Sequence, residues 1–205
     1  MLSHQQRCDF QIISLFLLSV SFTWEKHEMV EQFSTLADLL GYRIKQEKLH
    51  SISFSDNPGS YSLIFLHGCN ERIDSIYIDI ETFYDTYELL QEDQAYEQIE
   101  EIVNGKLQKL EEAVQYLRTV WGEPFFLGDF WDSRFPRDQY SGIRMALWKM
   151  KGAHVVLQVE YQDKELPISL NMLITPEQEL TSHEFDEFVG KEYLDTYKFS
   201  RVRPD

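Results

Sequence analysis

Seven apolar residues, Ile99, Val103, Leu107, Leu110, Val114, Leu117 and Trp121, recur at steps of four, four, three, four, three and four. That spacing lines one face of a helix for over six turns. Asn104-Gly105 interrupts the stripe at a cost of about 1 kcal/mol relative to alanine, yet the stripe stays in phase through it. One continuous or slightly kinked helix is therefore preferred to two. Gly122 and Pro124 close it, a terminal glycine followed by a proline. A helix this long, apolar along one stripe, has to lie on something.

Strands supply the surface. Leu49–Ser55, Tyr61–His67 and Ile73–Glu81 are separated by Asp56-Asn57-Pro58-Gly59 and Gly68-Cys69-Asn70, both turn signals. After the helix come Phe125–Trp131, then Ile143–Met150 and His154–Tyr161 around the hairpin signal Lys151-Gly152-Ala153. Asp163-Lys164 turns into Leu166–Leu173. Strands joined by such short turns cannot be parallel neighbours, because parallel pairing needs long crossovers. Shorter helices flank the set: Met29, Phe33, Leu36 and Leu40 before Gly41, a short one from Thr82 to Leu90, and a final one capped by Ser182. The expected fold is α+β: about seven antiparallel strands, in one sheet or two sub-sheets, packed with a long central helix and shorter N- and C-terminal helices.

The chain has 205 residues, enough for one domain with a sizeable core. A single α+β domain is expected over 25–197, with a basic tail at 198–205 carrying Arg201 and Arg203. Residues 1–24 differ from the rest, since Phe10 to Phe22 reads FQIISLFLLSVSF. Thirteen residues are too few to span a bilayer, which needs about 20. Three readings stand for this segment: a signal or anchor, a buried helix or strand of the domain, or an extension before a start at Met29. Two distant cysteines, Cys8 and Cys69, make no disulfide framework and point to a reducing, cytoplasmic setting. Export or anchoring through residues 10–22 is the alternative.

A net charge of −16 disfavours nucleic acid and anionic membrane as partners. It favours a cation, and the charge is clustered. Glu71–Glu101 holds eleven acidic residues against one base, Arg72, interleaved with Tyr77, Tyr84, Tyr87 and Tyr96. Ile76, Ile78 and Ile80 alternate with Tyr77, Asp79 and Glu81, the period of a strand with one face buried and the other wet. The expectation is that Asp79 and Glu81 project together from the wet face.

No catalytic or metal-binding signature is found. The six histidines form no HExxH, the nine glycines no phosphate-cradling loop, and GxSxG is missing. No catalytic residue, metal or cofactor is assigned. A long acidic helix ending in Val120-Trp121-Gly122-Glu123-Pro124, then a strand, a strand with Met145-Ala146-Leu147-Trp148 and one with Glu165-Leu166-Pro167, resembles the layout of small α+β immunity proteins of bacterial toxin systems over about residues 95–175. The resemblance implies a protein that binds a cognate toxin and blocks its active site. The sequence thus predicts a non-enzymatic binding protein that meets a basic partner, a toxin among them, through Tyr77, Asp79, Glu81, Tyr84, Asp85 and Tyr87. The alternative is an enzyme or small-molecule binder with a pocket between sheet and long helix, lined by Trp121, Trp131 and Trp148.

Overall fold

A computed structural model describes residues 1–178 apart from 49, 57–62, 69–70, 92–93, 138, 162 and 164–165. The expected C-terminal helix and basic tail, the turn at Asn57-Pro58-Gly59, and Cys69 lie outside the described residues.

The order is α1 (His4–Ser19), α2 (Lys26–Leu39), β1 (Ile44–Lys48), β2 (Ser51–Ser55), β3 (Ile64–His67), β4 (Ser75–Phe83), α3 (Thr86–Leu89), α4 (Ala95–Trp121), β5 (Phe126–Asp129), β6 (Arg144–Met150), β7 (Ala153–Glu160) and β8 (Ile168–Pro176). The α+β class holds. Eight strands, rather than about seven, form one antiparallel sheet in the order β1-β2-β3-β4-β8-β7-β6-β5. Each half of the chain makes its own meander, and β4 pairs with β8 to fuse the two. Two sub-sheets do not arise because these inner strands satisfy each other's backbone groups, leaving β1 and β5 as the edges among the described residues.

The long stripe forms one helix of 27 residues, unbroken at Asn104-Gly105. Val103, Leu110, Val114 and Leu117 are buried along it, and Gly122 closes it at φ 81°. This helix rests on β6, β7 and β8, while α2 lies on β2. Helix α1 packs on both α2 and α4, with Phe10, Ile13 and Leu17 in the same core as Ile76, Val155 and Met172. Residues 4–19 are thus a helix with one face buried in the core. Its start is fixed by a capping box in which Ser3 Oγ accepts from the Gln6 N–H and Gln6 Oε1 from the Ser3 N–H. Among the described residues no helix is long and apolar enough to cross a membrane.

All helices named so far cover one face of the sheet. On the other, Met145, Leu147 and Val156 are covered by Phe130, Phe135 and Tyr140 from the loop between β5 and β6. Toward β4 and β8 that second face turns polar.

Candidate functional site

Strand β4 carries the acidic residues singled out in the sequence, and it is not a regular strand. Its pairing with β8 shifts between Asp79, opposite Asn171, and Glu81, opposite Leu170, so Ile80 is an extra residue. Such a bulge places two residues against one and reverses the alternation beyond it. Asp79 therefore stays on the second face with Tyr77, while Glu81 turns to the helix face beside the core residue Leu170. Asp79 and Glu81 do not share a wet face, which corrects the expectation from simple alternation.

On the helix face Glu81 is surrounded by donors. Lys106 Nζ lies 3.3 Å from its Oε1, Lys109 Nζ bonds its Oε2, and Gln6 Nε2 reaches the same oxygen at 2.7 Å. Lys106, only 2% exposed, also donates to the Glu81 carbonyl at 2.9 Å. Burial pushes the Glu81 carboxyl up, but the hydrogen bonds from Lys109 and Gln6 and the charge of Lys106 outweigh it and hold the group below its ordinary range. Burial likewise draws the Lys106 ammonium down against the pull of Glu81. One carboxylate thus joins α1, β4 and α4.

The second face holds a polar band. Asp79, 7% exposed, accepts from Thr82 Oγ1 at 2.7 Å and from the Tyr84 hydroxyl at 3.3 Å. Burial raises its pKa despite those bonds. Beside it the Tyr77 hydroxyl donates to Ser169 Oγ at 3.3 Å, and burial raises that phenol as well. Asn171 Nδ2 donates to Ser169 Oγ at 2.7 Å and to Glu160 Oε2 at 3.1 Å, and its Oδ1 accepts from Gln158 Nε2 at 3.2 Å. Tyr77, Asp79 and Tyr84 are brought together here in a polar network in which Asp79 is buried and the two tyrosines half-buried.

Asp85 and Tyr87 go elsewhere. Strand β4 runs on through Phe83, so Thr82 caps nothing, and α3 starts only at Thr86. Asp85 is exposed and Tyr87 is 61% exposed. The first two turns of α4 add Tyr96, 72% exposed, and Glu97 and Glu101, both exposed. An open hollow of about 570 Å³ runs along this part of α4, lined by Glu97, Glu100, Glu101, Asn104, Gly105 and Gln108. From Ile73 to Gly105 the sequence has no Lys, Arg or His. The next base, Lys106, is turned inward to Glu81. The carboxylates of this corner thus have no base from their own stretch of chain beside them.

The tryptophans divide. Trp121 and Trp148 meet edge to face with centroids 5.3 Å apart and line a groove of about 460 Å³ at the C-terminal end of α4. Trp131 is not part of it and packs on Phe130. The groove's other walls, from α1 and the β6–β7 hairpin, carried no signal in the sequence beyond Lys151-Gly152-Ala153. Among the described residues no group of three or more His, Cys, Asp or Glu could hold a metal ion.

No known protein family, curated protein or solved structure matches this chain.

Proposed function

We propose that this protein is a non-enzymatic binding module that engages a basic protein partner through an acidic, tyrosine-bearing surface. The resemblance of residues 95–175 to the layout of immunity proteins of bacterial toxin systems favours a toxin as that partner. The supporting observation is the corner between α3 and α4, where Tyr87 and Tyr96 stand exposed among Asp85, Glu88, Glu97 and Glu101. Clustered carboxylates steer a cationic partner to the surface, and tyrosines add contact area at low entropic cost. Tyr77, Asp79, Tyr84 and Glu81 support this surface from within: the polar band and the Glu81 cluster hold β4 and α4 in place, and Asp85 and Tyr87 are contacts.

Affinity capture at two salt concentrations with the wild-type chain and a Glu97→Lys, Glu101→Lys variant tests this reading. A basic protein should be retained at low salt, released at high salt and lost from the variant. Retention by the variant, or a partner that is acidic or indifferent to salt, would refute it. A second reading, a small-molecule binder, draws its support from the groove between Trp121 and Trp148.

A further inference from the structure

The groove at the end of α4 is built rather than incidental. Its apolar wall comes from Leu17, Leu18 and Phe22 of the N-terminal segment, Trp121 and Trp148, and Phe125. Three indole N–H groups pin the elements that form it. Trp121 Nε1 donates to the Ser14 carbonyl at 3.1 Å, tying α4 to α1. Trp148 Nε1 donates to the Gly122 carbonyl at 3.0 Å, tying β6 to the end of α4. Trp24 Nε1 donates to the Gly152 carbonyl at 2.8 Å, tying the tip of the β6–β7 hairpin to the segment after α1. With its donor engaged on backbone, the ring of Trp121 faces the groove as apolar surface, and the buried Trp148 packs edge to face behind it. The hollow, about 460 Å³, falls in the range of small-molecule sites.

Its charge is opposite to that of the protein. Lys149 and Lys151 line the groove, and both are exposed. The Lys149 ammonium stands 3.9 Å from the centroid of the Phe125 ring. Among the described residues, no carboxylate lies within ion-pair distance of either lysine. Glu123 also lines the groove, but Arg118 binds it at 3.0 Å. The local balance is therefore positive in a chain of net charge −16.

We propose that this groove binds a small monocarboxylate with an aliphatic body, the hydrocarbon against Leu18, Phe22 and Trp121 and the carboxylate between Lys149 and Lys151. The site is remote in charge and position from the acidic corner and is independent of it, so either proposal can fail alone.

Isothermal titration of the full chain with sodium octanoate, sodium decanoate, 1-octanol and octylammonium chloride, all below their micellar concentrations, tests this. Octanoate should bind saturably, and each added methylene should tighten binding roughly fourfold. Octanol should bind about tenfold more weakly for want of the ion pair, and octylammonium should not bind. A Lys149→Glu, Lys151→Glu variant should bind octanoate no better than octanol, while its octanol affinity, unchanged from wild type, shows that the groove is intact. No saturable octanoate binding, equal affinity for octylammonium, or undiminished octanoate binding by the variant would overturn the proposal. So would binding to phosphatidylglycerol vesicles without binding to octanoate, which would make this a membrane contact instead.

Discussion

Glu81→Gln removes one charge while keeping the size of the side chain and one acceptor oxygen. Lys106, 2% exposed, would keep the Glu81 backbone carbonyl at 2.9 Å but lose the carboxylate at 3.3 Å. Removing one member of a fully buried ion pair costs about 3–5 kcal/mol, because the other charge is left without a partner. Here the Glu81 side chain is 33% exposed and the backbone bond survives, so the expected cost is lower, about 2–3 kcal/mol. In a chain of this size that lowers the melting temperature by about 5–10 °C. Urea unfolding followed by tryptophan fluorescence measures the free energy directly. Adding Lys106→Met removes the stranded cation, so the double variant should be more stable than Glu81→Gln alone. A Glu81→Gln protein within about 0.5 kcal/mol of wild type, or a double variant that recovers nothing, would refute the reasoning.

Other expectations follow from the same packing. Because the folded-state pKa of Glu81 is depressed, its contribution is complete above the unfolded value of about 4.3 and is lost as pH falls through the folded one. Glu81→Gln should therefore flatten the acid limb of stability against pH. Asp79 has the opposite sign: its raised pKa favours the folded state while it is protonated, and that advantage is lost as pH rises from about 3.9 through the folded value. Asp79→Asn should remove that loss and cost at most about 1 kcal/mol at neutral pH, as read by urea unfolding at a series of pH values. Phe10→Ala should destabilise by about 3–5 kcal/mol, since Phe10 is fully buried in the main core; a negligible effect on the urea midpoint would show that α1 is not part of the folded domain. Gly152→Ala should cost about 1–2 kcal/mol, because Gly152 has φ 81° and a Cβ there would come within 3.3 Å of the Phe22 carbonyl; thermal melts check it.

The parts of the fold governed by periodicity were readable in the chain. The Ile99 to Trp121 stripe kept its phase through Asn104-Gly105 and formed one helix, and Gly41, Gly122 and Gly152 took the positive φ that their turn positions demand. Strand β1 was missed because Ile44-Lys45-Gln46-Glu47-Lys48 has no alternation to read. It lies at the sheet edge, almost wholly exposed, and charges of both signs protect its open side. The bulge at Ile80 was hidden for a different reason: Ile78, Ile80, Asp79 and Glu81 alternate perfectly in sequence, and the groups that favour turning Glu81 to the helix face, Lys106 and Lys109 on α4 and Gln6 on α1, are all more than twenty residues away. Long-range partners of this kind leave no local pattern. The same limit applies to the groove, whose walls come from α1, the end of α4 and the β6–β7 hairpin. In the candidate surface, Asp85 and Tyr87 keep the outward positions expected of them, whereas Tyr77, Asp79 and Tyr84 enter the polar band.

The most direct test is a comparison of two variants against the captured basic partner, with affinity measured over a range of ionic strength. The account predicts that Glu97→Lys with Glu101→Lys weakens binding at least about tenfold and flattens its salt dependence, while Asp79→Asn binds like wild type. A corner variant that binds normally, with Asp79→Asn losing affinity, would place recognition on β4 and contradict it.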